Sequence, residues 1–210
     1  MREIWIALLF LTAFAVSFPA AAQSPQSPAG AASLLAATPQ DRVFGQTDAP
    51  ITIVEYASLT CPHCANFHKD VLPNLTQKWI DTGKAKLVMR PFPLDEPALR
   101  AEMLARCVAP ERYYPVIDTL FVTQDNWAFS RDWRGGLERI ARLAGVSKKD
   151  YEACLANKGL EDQIVQSRLI AATQLDVNAT PTFFVNGKKF EGAPTLPAFE
   201  QLLSGLAARS

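Results

Sequence analysis

The chain has 210 residues, of which 49% are hydrophobic, enough for one domain with a sizeable core. Its 21 basic residues are balanced by 21 acidic ones, and no basic stripe runs along it, so no nucleic-acid partner is expected.

Residues 1–22 are expected to be a cleavable signal peptide. Arg2 provides a weak positive start, Ile4 to Val16 is an apolar stretch broken only by Thr12, and Ala20-Ala21-Ala22 offers a small-residue cleavage site before Gln23. The apolar stretch is too short to span a bilayer comfortably; an uncleaved anchor is the alternative. No Cys stands at the cleavage point, so a lipoprotein is not indicated. Export implies an oxidising compartment. All four cysteines lie beyond this segment, and an even number suggests two pairs. Residues 23–40 are rich in Ala, Ser, Pro and Gln and are expected to be a flexible leader with one helical turn near Ser33 to Ala37.

After the turn cluster Gly45 to Pro50, the β-branched run Ile51 to Tyr56 predicts a buried strand. Glu55 is out of place there, because a buried carboxylate is costly unless paired or protonated. Lys86 and Arg90 are both possible charge partners, and a solvated, edge-facing Glu55 is the other reading.

Leu59-Thr60-Cys61-Pro62-His63-Cys64 follows the strand, and the amphipathic run Ala65 to Ile80 follows it as a helix, bent at Pro73. Two thiols at this spacing at a helix start can close a small, reducible disulfide ring. Unpaired N–H groups and the helix dipole stabilise negative charge at that point, so Cys61 should ionise near neutral pH. The His63 imidazole and local N–H groups should add to this. Cys64, one turn deeper, would be the more buried, resolving thiol. The competing readings are half of a zinc site, for which only His68 offers a further ligand, and an inert structural disulfide. A c-type haem would need His where Ala65 stands.

Gly83 ends the helix, and Lys86 to Arg90 predicts a second strand. Ile51 to Arg90 is thus a βαβ unit with parallel strands and a right-handed crossover. Residues 94–175 are helical by pattern, with segments at 98–108, 113–122, 133–144, 148–156 and 160–175 and a break at Gln124 to Asn126. Ser147 is expected to cap the fourth. Cys107 and Cys154 fall inside this region, 47 positions apart. A structural bond joining two helices is the ordinary reading; two free thiols or a second redox couple are the others. Ala179-Thr180-Pro181-Thr182 then leads into the strand Phe183 to Val185, Asn186-Gly187 marks a hairpin, and Leu196 to Leu206 forms a last helix.

Cys61-Pro62-His63-Cys64 after a strand, combined with the late Thr180-Pro181 before a strand and a long helical insert, resembles the DsbA-like thiol–disulfide oxidoreductases of the thioredoxin superfamily. The likeness runs from about Gly45 to Leu206. It implies a thioredoxin-like α/β fold with a mixed sheet. Residues 41–93 and 176–210 would be its two halves, and 94–175 the helical insert. It also implies a cis peptide before Pro181, facing the Cys61–Cys64 pair, with Thr180 able to hydrogen-bond near Cys61. Glu55 would be the proton acceptor for Cys64, through water. Some alphaproteobacterial relatives carry a second pair in the helical domain, as Cys107 and Cys154 would be.

The function implied is oxidation of reduced, unfolded exported proteins in the periplasm. Re-oxidation would come from a membrane quinone-linked partner of the DsbB type. No bound cofactor or metal is expected, since the disulfide carries the electrons, and the chain is expected to act as a monomer. A disulfide isomerase or reductase using the same residues is the first rival. Thr180 is compatible with it, whereas the 17 residues from Gln23 to Pro39 are too few for the N-terminal dimerisation domain that isomerases of this kind carry. A non-enzymatic metal-handling or chaperone protein is the second.

Overall fold

The computed structural model describes residues 28–209, so the expected signal peptide lies outside the described residues. The elements are α1 (Pro28–Leu35), β1 (Val43–Phe44), β2 (Ile51–Ala57), α2 (residues 62–80), β3 (Ala85–Pro91), α3 (Glu96–Arg106), α4 (Tyr113–Val122), α5 (Gln124–Trp127), α6 (Trp133–Leu143), α7 (Lys148–Leu155), α8 (Lys158–Gln174), β4 (Thr182–Val185), β5 (Lys188–Lys189) and α9 (Leu196–Ala207).

The five strands form one mixed sheet in the order β1-β3-β2-β4-β5. β2 and β3 are parallel, with Glu55 opposite Met89, and β4 runs antiparallel to β2, with Glu55 opposite Phe183. Asn186 and Gly187, both at positive φ, make the turn into β5. This is a thioredoxin-like fold in which the helices α3 to α8 are inserted between the β2-α2-β3 unit and the β4-β5-α9 unit.

The two-residue period of a strand divides the core. Ile51, Ile53 and Ala57 of β2 face the larger cluster with Leu87, Met89, Phe183 and residues of α2, α4 and α9. Val54 and Tyr56 face the other side with Val88, Phe184, Ala171, Leu175 and Leu35. Glu55 shares its face with Ile53 and Ala57, so the period places its carboxylate in the larger core.

Four expectations are corrected. The leader does not stay free up to residue 40, because α1 docks on the sheet. Leu35 is buried in the second cluster, and the Arg90 guanidinium donates to the carbonyls of Leu34 (2.6 Å) and Ala36 (2.8 Å) and to Asp41 (2.8 and 3.0 Å). α2 begins at Pro62 rather than Ala65, since Pro suits the first turn of a helix.

In place of a simple bend at Pro73, α2 has two turns widened to i→i+5 bonding, at Phe67–Val71 and Thr76–Ile80. Pro73 has no N–H and its ring would crowd the carbonyl four residues back, which the wider turn before it relieves. Gln124 to Asn126, expected as a break, belongs to the short helix α5. Ser147 does cap α7, accepting from Asp150 N–H at 3.1 Å.

Candidate active site

β2 ends at Ala57, and the turn Ser58-Leu59-Thr60 carries the chain to the start of α2, where Cys61 is the N-cap residue with extended backbone. The turn is fastened from three sides. Cys61 N–H donates to Ser58 O at 3.0 Å, Leu94 N–H donates to Ser58 Oγ at 3.3 Å, and Cys61 O accepts from Ala65 N–H at 3.1 Å. The buried Gln124 amide of α5 donates to both Leu59 O (2.9 Å) and Cys61 O (3.1 Å). Both partners are carbonyls, which fixes the amide nitrogen toward the turn. The helical insert therefore grips the redox turn directly.

Cys61 and Cys64 are free thiols, Cys64 fully buried and Cys61 5% exposed. The Cys61 thiol is lowered from 9.0 to about 5. The hydrogen bond from Cys64 holds it down most, Thr180 and the backbone N–H groups of Cys64 and His63 help, and burial opposes them. The Cys64 thiol is pushed well up, first by burial, then by its bond to Cys61 and the charge of Glu55. One thiol is thus a thiolate at neutral pH and its neighbour keeps its proton. The His63 imidazole is exposed, and it is the backbone N–H of His63 that supports the thiolate.

The peptide before Pro181 is cis. Its loop sits against the pair, and Cys61 Sγ lies 3.2 Å from Thr180 O, to which it donates while it is still a thiol. Thr180 Oγ1 is buried and has no partner of its own in the dithiol. A shallow cleft beside the pair is lined by His63, Asn66, Val71, Thr180, Pro181 and Pro194.

Glu55 is fully buried, so the solvated reading is overturned. Its partner is neither Lys86, which donates to Thr47 O, nor Arg90, which is bound to Asp41. It is His68, whose Nε2 lies 3.0 Å from Glu55 Oε2. Burial pulls the His68 pKa down, but Glu55 and Asp118 outweigh it and hold it at about 9. His68 is on the helix face of Cys64, four residues on, but its ring turns to Glu55. Among the described residues, no group of three or more His, Cys, Asp or Glu side chains is placed to hold a metal ion.

Cys107 at the end of α3 and Cys154 on α7 are joined, with Cα atoms 6.1 Å apart. Asp118 and Gln124 were not expected at the site, and His68 was weighed there only as a further ligand of a zinc site, not as the partner of Glu55. The sequence carried one signal for His68, its position one turn from Cys64, and none for the other two.

Residues 37–204 match the family model described as Thioredoxin. A Rickettsia bellii protein named "Putative protein-disulfide oxidoreductase" is 36% identical over 152 residues, covering 72% of this chain and 59% of that protein. The match thus spans little more than half of that relative's length. The crystal structure of Wolbachia pipientis alpha-DsbA1 is 34% identical and superposes with a TM-score of 0.80 over 85% of this chain and 96% of that one. BdbD from Bacillus subtilis, 21% identical with a TM-score of 0.72 over 79% of this chain and 92% of that one, shares the fold. With its helical insert between the two halves of the sheet and its Cys61–Cys64 pair beneath a cis-proline loop, the chain belongs to the thioredoxin family and is DsbA-like.

Proposed function

We propose that the protein oxidises pairs of thiols in reduced, unfolded exported proteins through a Cys61–Cys64 disulfide. The observation that carries this is the unequal pair: Cys61 at the N-terminus of α2 against the cis-Pro181 loop, where its thiol is lowered, beside a fully buried Cys64 whose thiol is pushed well up. A substrate thiolate attacks Cys61 Sγ, the Cys61–Cys64 bond breaks, and Cys64 leaves and takes up a proton. A second substrate thiolate attacks the substrate sulfur of the mixed disulfide and expels Cys61, which departs readily because its thiolate is stable. The substrate loses two electrons and two protons; one proton stays on Cys64, and the other reaches solvent.

The cis-Pro181 loop presents a backbone edge at which an extended substrate can pair. Glu55 takes and returns the Cys64 proton. Turnover requires a re-oxidant, for which a membrane quinone-linked DsbB-type partner is the match. The setting is the periplasm and the acting form a monomer. Disulfide isomerisation or reduction would use the same atoms, but stabilisation of the Cys61 thiolate favours the reduced enzyme and so makes the disulfide an oxidant.

The test uses a reduced, unfolded model protein with two cysteines, mixed with the oxidised enzyme. The expected result is one disulfide formed per enzyme reduced, lost in Cys61→Ser. Failure to oxidise, with only reshuffling of mispaired disulfides by the reduced form, would overturn the oxidase reading. Metal bound tightly by Cys61 and Cys64, without turnover, would move the protein to a different class.

A further inference from the structure

Behind Glu55 lie two further polar side chains, His68 and Asp118, to which the exchange described above gives no part. Glu55 of β2 and His68 of α2 are buried, and Asp118 of α4 is 58% exposed at its side chain. His68 Nε2 is 3.0 Å from Glu55 Oε2, and His68 Nδ1 is 3.7 Å from Asp118 Oδ1. The Phe121 ring packs on the imidazole with centroids 4.2 Å apart, and Phe67 lies edge-on at 5.7 Å. These walls leave the imidazole one polar neighbour on each side.

The arrangement is a poor stabilising ion pair. A buried pair offsets its desolvation only when its remaining polar atoms are also satisfied. Here Glu55 Oε1 and His68 Nδ1 are both buried without a hydrogen-bond partner. One free atom sits at each end of the pair, and each is costly to leave so. An imidazole that bonds at one nitrogen and keeps the other free toward an exposed carboxylate has the layout for moving a proton.

We propose that Glu55, His68 and Asp118 form a proton path between Cys64 and solvent, with Asp118 as its outer end. This rests on the reading of Glu55 as the acceptor of the Cys64 proton. As Cys64 ionises, its proton passes to Glu55, and the imidazolium releases its Nδ1 proton toward Asp118 and water. The carboxylate–imidazolium pair becomes a neutral pair, so the thiolate forms without an adjacent carboxylate charge. The reverse sequence delivers a proton to Cys64 when it is expelled from the disulfide. Asp118 is exposed, so its side chain can close the 3.7 Å gap or exchange the proton through a water.

The titratable groups around the pair are Cys64 on the same helix, Glu55 on β2, and Asp118 and Tyr114 on α4. Tyr114 is not available: its hydroxyl accepts from Met89 N–H and lies on the carbonyls of Arg42 and Leu87, and burial pushes its pKa well up. His68, held at about 9, is loaded with a proton at neutral pH.

The test follows one step. Reduced protein is mixed with excess oxidised glutathione, and the Cys61–glutathione mixed disulfide is trapped in acid over time and across pH. In that step Cys64 loses its proton, attacks Cys61 Sγ and expels glutathione thiolate. His68→Gln and Asp118→Asn should each slow it by about tenfold or more, which is below the roughly hundredfold of a direct acid–base group. Each should shift the pH–rate curve upward by about one unit, and added imidazole buffer should restore the Asp118→Asn rate.

Wild-type rates and an unchanged curve in both variants would overturn the path. So would a slow His68→Gln beside an unaffected Asp118→Asn, since the exit would then lie elsewhere. Should His68→Gln fail to fold, the exposed Asp118→Asn decides alone. Glu55→Gln separates the two readings. If it alone is slow, Glu55 is the acceptor and the path fails; if none of the three is slow, both fail.

Discussion

Raising the pH from 5 to 9 should stabilise the reduced protein while leaving the oxidised protein nearly unaffected by this group. The perturbation is the ionisation of Cys61, whose thiol falls from 9.0 in the unfolded chain to about 5 in the fold. A lowered pKa contributes stability that is fully present above the unfolded value and is lost as the pH falls through the folded one. Each pH unit between the two is worth about 1.4 kcal/mol, so at pH 7 the reduced form gains roughly 3 kcal/mol, and at pH 9 roughly 5. The pH 7 gain corresponds to about 60 mV in the two-electron potential, toward a more oxidising disulfide.

The assay is urea unfolding of the reduced and oxidised proteins at pH 4, 5, 7 and 8, paired with the thiolate absorbance of the reduced form. The oxidised protein carries the same His68, Glu55 and Asp41 and removes their titration from the difference. The reduced-minus-oxidised stability should be flat below about pH 5 and rise through pH 8. A flat difference over the whole range, or an absorbance midpoint above 7, would refute the reasoning.

Gln124→Leu removes two hydrogen bonds to the redox turn and leaves Leu59 O short of its donor; it should cost roughly 2–3 kcal/mol in urea unfolding and raise the Cys61 pKa. The Cys107→Ala/Cys154→Ala variant opens a loop of 47 residues and should lose about 4 kcal/mol, with the Cys61 titration still at about 5. Arg90→Lys gives up the forked contacts to Asp41, Leu34 and Ala36 and should speed protease cleavage within residues 30–40 before the rest of the chain unfolds.

The chemistry of the site was legible because it is local. A CxxC at a strand-to-helix junction fixes which thiol meets the helix N-terminus, whatever surrounds it. The strands around it were legible because β2 and β3 are short, mostly β-branched or apolar runs bounded by Gly and Pro. What surrounds the thiols was not legible, because it depends on register. Glu55 called for a partner, but Lys86 and Arg90 sit on the neighbouring strand β3, one registered opposite Thr52 and the other opposite Tyr56. Those side chains leave on the opposite face from Glu55, which only the register of the two strands decides. His68 required knowing how far α2 rotates over the sheet, which the widened turns near Pro73 alter. Gln124 looked like a helix break because polar residues cluster there; its amide is the contact between the insert and the turn, set by tertiary packing. The leader had too little apolar content to predict docking: a single buried Leu35 packs on the sheet, and the rest of the hold is polar, from Arg90 to the carbonyls of Leu34 and Ala36 and from Arg106 to that of Gln40.

The reduction potential of Cys61–Cys64, from equilibration with glutathione at pH 7, bears most directly on the proposed oxidase. A stabilised Cys61 thiolate above a buried, protonated Cys64 predicts a value displaced by about 60 mV or more from the roughly −270 mV of thioredoxin toward the roughly −120 mV of DsbA. A value at the thioredoxin end would contradict it and assign the site to reduction.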